Sequence, residues 1–291
     1  MNINENIAII DIGSNSVRIR ISSRGSVFFR HRITTQLAKN SKGNVLDKDS
    51  VKRTFEGLDR LFEFARLNDA QIFVFATAAV RNATNSQEFC SRFFNRYGVP
   101  LDVVSGEREA MLGISGALKE KDGILIDVGG ASSEIAIKID QKIVYSHSIQ
   151  LGAVTLTDLC QRDINSAFNE IEKRLSTLVT PTVFEKRLYA IGGTANIVAF
   201  IKSGKPVFER EKTNGQVIKR EELHELTKTF YSLLPQEIVS IYKIDVLRAE
   251  VIHSGALLLY CLAKFLKVNE LILTEDDNLE GYYHFITKGN C

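Results

Sequence analysis

The sequence predicts an α/β fold in two similar domains, and three observations carry that expectation. Residues 9–21 align without a gap on residues 125–137, with Asp11/Asp127, Gly13/Gly129 and Ser16/Ser132 at matching offsets. Each copy opens a series of three short, alternating apolar segments, the signature of strands, after which helical and strand patterns alternate. At 291 residues the chain is long for one domain and comfortable for two.

The elements follow in order. Residues 7–11, 17–22 and 25–30 read as strands, the last two joined by a turn at Ser23-Arg24-Gly25. Arg18 and Arg20 alternate with Val17, Ile19 and Ile21, which places the arginines on a solvent face. Over 49–67, Val51, Phe55, Leu58, Leu61, Phe62 and Ala65 recur on one helical face. A strand (72–76), a helix (85–96), a strand (101–104) and a helix over 106–118, N-capped by Ser105, complete the first half.

The second half restarts the scheme with strands at 124–127, 133–139 and 142–149 and helices at 152–160 and 163–178. Then come a strand at 188–191, the turn Gly192-Gly193-Thr194, and helices at 194–201, 221–233 and 245–266. A strand at 271–274 and a helix at 278–287 end the chain, while the polar segment 202–220 reads as a surface loop or short hairpin. No Pro- or Gly-rich linker separates the halves, so the boundary is expected within the helix at 106–118. The expected domains are residues 1–117 plus 278–291, with the last helix returning to the first domain, and residues 118–277.

Composition narrows the class. A net charge of +2 gives no reason to expect a polyelectrolyte partner, and duplex nucleic acid is not indicated. Cys90, Cys160, Cys261 and Cys291 form no C-x-x-C pair, which fits reduced thiols in a cytoplasm better than a zinc site or disulfides. The polar N-terminus does not read as a signal peptide, and the apolar stretch near 256–266 is too short to span a bilayer. A homodimer is compatible with these features. The five histidines show no metal-ligand spacing and read as structural or surface groups.

The chemistry is expected at the duplicated turns. Gly13, Ser14, Asn15 and Ser16 in the first copy, and Gly129, Gly130 and Ser132 in the second, offer N–H groups and hydroxyls suited to phosphate oxygens. Asp11 and Asp127 stand at strand ends, where a carboxylate either caps the turn or binds a hard cation such as Mg²⁺. Arg81, following an apolar strand and preceding Asn82 and Asn85, is the candidate to neutralise phosphate charge. Gly192, Gly193 and Thr194 read, from the residues alone, as a turn that could be a plain strand-to-helix connection. From the residues alone, Glu107 and Glu109 are equal candidates for a functional acid, against the ordinary role of an acid at a helix start.

The duplicated Asp-x-Gly turn resembles the phosphate loops of the actin, sugar-kinase and heat-shock-70 ATPase superfamily. Within it, five segments in order resemble the exopolyphosphatase/guanosine-pentaphosphate phosphohydrolase (Ppx/GppA) family. They are residues 10–16, 76–85, 104–110, 126–134 and 190–195. The resemblance implies two actin-like (ribonuclease H-like) domains facing an interdomain cleft, in the family's short, two-domain form. It implies hydrolysis of a terminal phosphoanhydride, as an exopolyphosphatase acting on inorganic polyphosphate with Mg²⁺ or another divalent cation. Guanosine pentaphosphate is the alternative substrate, and a non-catalytic phosphate or nucleotide sensor the alternative of another class. It selects Glu109 as general base, gives Glu134 a role in orienting the water or sharing the cation with Asp11 and Asp127, and gives the Gly192-Gly193-Thr194 turn a phosphate- or nucleoside-binding role. Three departures stand out, one of them Arg248-Ala249-Glu250 where Arg-Ala-Asp is more usual. Ala131 replaces the third Gly of the second loop, where a methyl group is harmless only if the local φ is negative. Asp277-Asn278-Leu279-Glu280-Gly281 lacks the family's Arg and, with Glu275 and Asp276, adds acid that would weaken polyanion binding.

Overall fold

The computed structural model describes residues 5–179, 187–205, 207 and 209–288. The chain divides between Glu109 and Ala110 into two units.

The first unit runs β1 (Asn6–Ile12), β2 (Ser16–Ser23), β3 (Ser26–Thr34), α1 (Lys48–Leu67), β4 (Gln71–Ala76), α2 (Ala78–Arg81), α3 (Ser86–Tyr97), β5 (Leu101–Val103) and the first turn of α4 (Gly106–Ala117). Its sheet has the order β3-β2-β1-β4-β5. The hairpins β1–β2 and β2–β3 are antiparallel, and β4 and β5 add parallel to β1. Asp47 starts α1 by accepting from the amides of Asp49 (3.1 Å) and Ser50 (3.0 Å). The helix comes close to the sheet at Gly57, where a Cβ would stand 3.1 Å from Val17. Phe62 stacks on Tyr97 of α3 at 4.0 Å between ring centres and welds the two helices.

The second unit holds the rest of α4, β6 (Gly123–Val128), β7 (Ser133–Ile139), β8 (Lys142–Ile149), α5 (Ala153–Cys160), α6 (Ile164–Leu175), β9 (Leu188–Ile191) and α7 (Gly192–Ser203). It continues with α8 (Arg210–Thr213), β10 (Gln216–Lys219), α9 (Arg220–Ser232), α10 (Pro235–Tyr242), α11 (Val246–Ala249), α12 (Ile252–Phe265), β11 (Glu270–Leu273) and α13 (Asn278–Lys288). The sheet order is β10-β11-β9-β6-β7-β8. Read from β8, it repeats the first sheet's order, with β10 added at the edge. Even the irregularity recurs: register shifts at Ile21/Ser22 and at Ile137/Lys138 bend the two second strands at equivalent places.

Each face of the second sheet has its own cover. Ile124, Ile126, Ile135 and Ile137 pack into a core with Leu156, Ile171, Leu258 and Leu262. Helix α12 is apolar on nearly every side because it is enclosed on nearly every side. The opposite face carries Leu125, Ala136, Tyr189 and Ile191 under Ala110, Ile114 and Leu118 of α4 and the residue just beyond it. Asp127 and Glu134 share the parity of this second face. Helices α4 and α13 meet backbone to backbone: a Cβ at Gly281 would collide with the Leu112 carbonyl, and one at Gly116 with the Asp277 carbonyl. The contact division puts both helices, from Ala110 onward, in the second unit, whereas the sequence expectation grouped both with the first domain.

Three expectations need correction. Segment 202–220 is not a plain loop, because it contains α8 and β10, whose partner is β11. The helix expected over 245–266 is two helices: Asp245 caps α11, which ends at Ala249, and α12 begins only at Ile252. Arg18 and Arg20 do not line a solvent face. Strand β2 lies between β1 and β3 and is covered on both faces, leaving Arg20 3% exposed. Among the described residues Cys90, Cys160 and Cys261 are free thiols, and Cys291 lies outside them. No described helix is long and apolar enough to cross a membrane.

Candidate active site

In the first unit, β1 delivers Asp11, 2% exposed, to the start of the 13–15 turn. The Gly13 amide donates to the Ser16 carbonyl at 3.0 Å, so a Cβ on Gly13 would press on that oxygen. The turn's own carbonyls are occupied: Ser14 accepts from the Ala38 amide (2.9 Å), Asn15 from the Thr35 (3.0 Å) and Gln36 (2.9 Å) amides. Arg18 sits directly opposite Asp11 in the β1–β2 ladder. Its Nε donates to Asp11 Oδ2 at 2.8 Å, and its Nη2 donates to the same oxygen. Asp11 is therefore a neutralised carboxylate.

Arg81 and Glu109 meet beside it. Thr77 follows β4 directly, with its amide on the Ile12 carbonyl (3.3 Å), and the single turn of α2 brings Arg81 back over the strand ends. Arg81 Nη1 donates to the Val104 carbonyl (2.9 Å) and to Glu109 Oε2 (2.8 Å). Ser105 Oγ accepts from the Arg108 amide at 3.1 Å and so caps α4, whose first turn presents Glu109 at 7% exposure. Burial pushes the Glu109 carboxyl above the ordinary carboxylate range. The Arg81 guanidinium opposes that rise through its charge and hydrogen bond, Asp11 adds to it, and a hydrogen bond from Thr77 lowers it. Arg81 Nη2 has no hydrogen-bond partner among the described residues.

In the second unit the same turn recurs with different neighbours. The Gly129 amide donates to the Ser132 carbonyl at 3.0 Å, and the loop carbonyls are taken by the start of α5. Ala153 donates to Gly129 (2.9 Å), while Val154 (2.8 Å) and Thr155 (3.1 Å) donate to Gly130. Gly152 presses on this loop so closely that a Cβ would collide with Gly130. Ala131 is not among the residues with positive φ, so its methyl imposes no left-handed strain.

Asp127, 8% exposed, faces Glu134 across the β6–β7 ladder, where the first repeat has Asp11 facing Arg18. Glu134 Oε1 accepts from Ser132 Oγ (2.7 Å) and Ser148 Oγ (2.8 Å). Asp127 Oδ2 accepts from Asn278 Nδ2 at 3.2 Å. Gly192, at φ +94, leads from β9 into α7, and a Cβ there would collide with Asp127 Oδ1. Arg248 of α11 stands over the neighbouring turn residue, its Nη2 3.1 Å from where a Gly193 Cβ would be. Thr194 is buried against Gly255 of α12.

The geometry therefore gathers Asp11, Arg81 and Glu109 in one unit, and Asp127, Glu134 and Gly192 in the other. Sequence reasoning missed Arg18, Thr77, Ser148, Asn278 and Arg248 as neighbours of these groups. The gapless alignment held the signal for Arg18, which occupies the position of Glu134. The acid at 275–277 is also less bare than expected. Asp276 pairs with Lys119 (3.1 Å) and Arg210, Glu275 accepts from Thr213 Oγ1 (2.6 Å), and Asp277 accepts from the Leu279 amide (3.0 Å). Among the described residues no three His, Cys, Asp or Glu side chains gather into a cation site. Two opposed, buried carboxylates nevertheless fit a hard cation that binds through one or two carboxylates plus phosphate oxygens and water.

Two copies of one sheet order, each with an Asp at the end of its first strand and a Gly/Ser turn beyond, define the two-domain actin-like α/β class. The chain belongs to the Ppx/GppA phosphatase family, whose sequence pattern matches residues 19–282. Its fold is similar to that of an exopolyphosphatase from Cytophaga hutchinsonii, at 20% identity and TM-score 0.87, covering 98% of this chain and 99% of that one. It is similar to the Aquifex aeolicus Ppx/GppA family member at 22% identity and TM-score 0.78, covering 98% and 99%. A bifunctional 3-dehydroquinate synthase/phosphatase from Fusobacterium nucleatum is 23% identical over 94% of this chain; the chain spans 45% of that protein's length.

Proposed function

We propose that this chain hydrolyses terminal phosphoanhydride bonds, releasing orthophosphate from inorganic polyphosphate. The observation that carries the reading is Glu109: a buried carboxylate with a raised pKa, held by Arg81 and bordered by Asp11 and Thr77. A carboxylate whose pKa is raised accepts a proton more readily than an ordinary glutamate. Glu109 takes a proton from a water, whose oxygen bonds to the terminal phosphorus. The bridging P–O bond breaks, and its electron pair leaves with the shortened chain. Arg81, through Nη2, and those amides of the 13–16 and 129–132 turns that do not close the turns hold phosphate oxygens. Gly192, Gly193 and Thr194, with Arg248 alongside, serve the same purpose at the start of α7.

Asp127 and Glu134 are the residues that would hold Mg²⁺. When bound, the cation offsets the charge of the reacting phosphates. Asp11, whose Oδ2 is engaged by Arg18, contributes less to that ion and more to the placement of Arg18 and the turn. The negative φ side of the map at Ala131 and the pairing of Glu275 and Asp276 support catalysis over a sensor that binds without turnover. Membership of a phosphatase family supports the reaction class, with guanosine pentaphosphate as the second substrate.

The test is orthophosphate release from long-chain polyphosphate and from guanosine pentaphosphate, with Mg²⁺, for the wild type and Glu109→Gln. Release is expected from polyphosphate first, and the substitution should reduce it by roughly 10²–10⁴-fold. Faster release from guanosine pentaphosphate would favour the second substrate, and no release from either would contradict the reaction.

A further inference from the structure

We propose that Asn278 is a positioning residue for Asp127, fixing the carboxylate through which the site engages a divalent cation. The inference rests on the reading of Asp127 as a cation ligand and deepens it. Asn278 is 4% exposed, and its Nδ2 donates to Asp127 Oδ2 at 3.2 Å, bridging chain positions far apart in sequence. The other carboxylate oxygen lies against Gly192, where a Cβ would collide with it. Both oxygens of Asp127 are thus located, one by the Asn278 amide and one by the Gly192 backbone.

The start of α13 is built to hold that amide still. Asp277 Oδ1 accepts from the Leu279 amide at 3.0 Å, and Glu280 Oε2 accepts from the Asp277 amide at 3.4 Å, a reciprocal cap. Glycines let α13 sit directly on α4: Gly116 faces the Asp277 carbonyl and Gly281 faces the Leu112 carbonyl. A Cβ on Gly113 would stand 3.0 Å from Asn278 Oδ1, so Gly113 leaves just enough room for the amide. The Asp277–Gly281 departure from the family pattern is therefore a capped, glycine-locked mount.

A purely structural role for Asn278 explains less. Its Oδ1 has no hydrogen-bond partner among the described residues, a cost that a leucine of similar size would avoid. The Nδ2 contact to Asp127 is what the amide gains for that burial. Groups that hydrogen-bond a metal ligand fix its orientation, and their loss commonly weakens metal binding by roughly 10–100-fold.

The experiment is a Mn²⁺ titration of the full chain, reading free Mn²⁺ by electron paramagnetic resonance, with Asp127→Asn as the reference for a lost site. Asn278→Leu and Asn278→Ala should weaken Mn²⁺ binding by roughly 10–100-fold in protein that is still folded without metal. Asn278→Gln, which keeps an amide donor, should recover most of the affinity. Should the leucine variant fail to fold, the alanine variant carries the test. Folded Asn278 variants that bind Mn²⁺ as the wild type does, while Asp127→Asn does not, would overturn the positioning role alone. Undiminished Mn²⁺ binding by Asp127→Asn would overturn both that role and the cation reading beneath it.

Discussion

The two strand–turn–strand copies close their turns with the same bond at the same length, Gly13 to Ser16 and Gly129 to Ser132, both 3.0 Å. They differ in what faces the aspartate. Asp11 meets Arg18, and Asp127 meets Glu134, at equivalent positions of equivalent ladders. The backbone device is thus inherited unchanged, while one cross-strand residue sets the local charge. A carboxylate–guanidinium pair is electrically complete. A cross-strand carboxylate pair has the ligand chemistry of a divalent-cation site instead. The first copy is suited to holding and deprotonating, the second to gathering positive charge.

The largest effect that could break this comparison concerns Arg81, the cation serving the first copy's acids. Arg81→Gln should lower orthophosphate release by roughly 10²–10³-fold through loss of a charged phosphate contact. The sign of the accompanying pH effect is fixed. Glu109 works ionised, its pKa is already raised by burial, and Arg81 pulls it down. Activity is lost as pH falls through that pKa, so removing Arg81 should move the acid limb to higher pH. A pH–rate profile of the residual activity checks this, and an acid limb that moves down would contradict the pairing.

A smaller effect separates the copies at the strand next to each aspartate. Asp11 registers with Phe75 and Asp127 with Ile191, which makes Ala76 and Gly192 equivalent. Only Gly192 is left-handed, at φ +94, and only there would a Cβ strike the aspartate. Gly192→Ala should cost about 1–3 kcal/mol in urea unfolding, whereas Ala76→Gly should cost about 0.5–1 kcal/mol. Equal costs would mean that the two turns are strained alike.

The duplication, the three-strand openings and the Gly/Ser turns were legible because each depends on a few neighbouring residues. Ser105 could likewise be read as a cap from its place before an acidic helix start. The short strand β10 was not, since its four residues are held by pairing with β11 and have no periodicity of their own. Arg20 misled because alternation was taken to mean one wet face, while the sheet is covered on both. Asn278 was read as part of a damaged motif, because a contact from the C-terminal helix to Asp127 has no signature in local spacing. The acids at 275–277 read as a cluster opposed to polyanions for the same reason: Lys119, Arg210 and Thr213, which engage Asp276 and Glu275, are distant in sequence.

The most direct test of the division between the copies is Mn²⁺ binding by Asp11→Asn and Asp127→Asn, measured side by side on folded protein. Asp127→Asn should lose at least about tenfold in affinity, as expected for a lost ligand or its support, and Asp11→Asn should stay close to the wild type. If Asp11→Asn loses as much as Asp127→Asn, Arg18 does not complete the first aspartate, and the two copies share the cation after all.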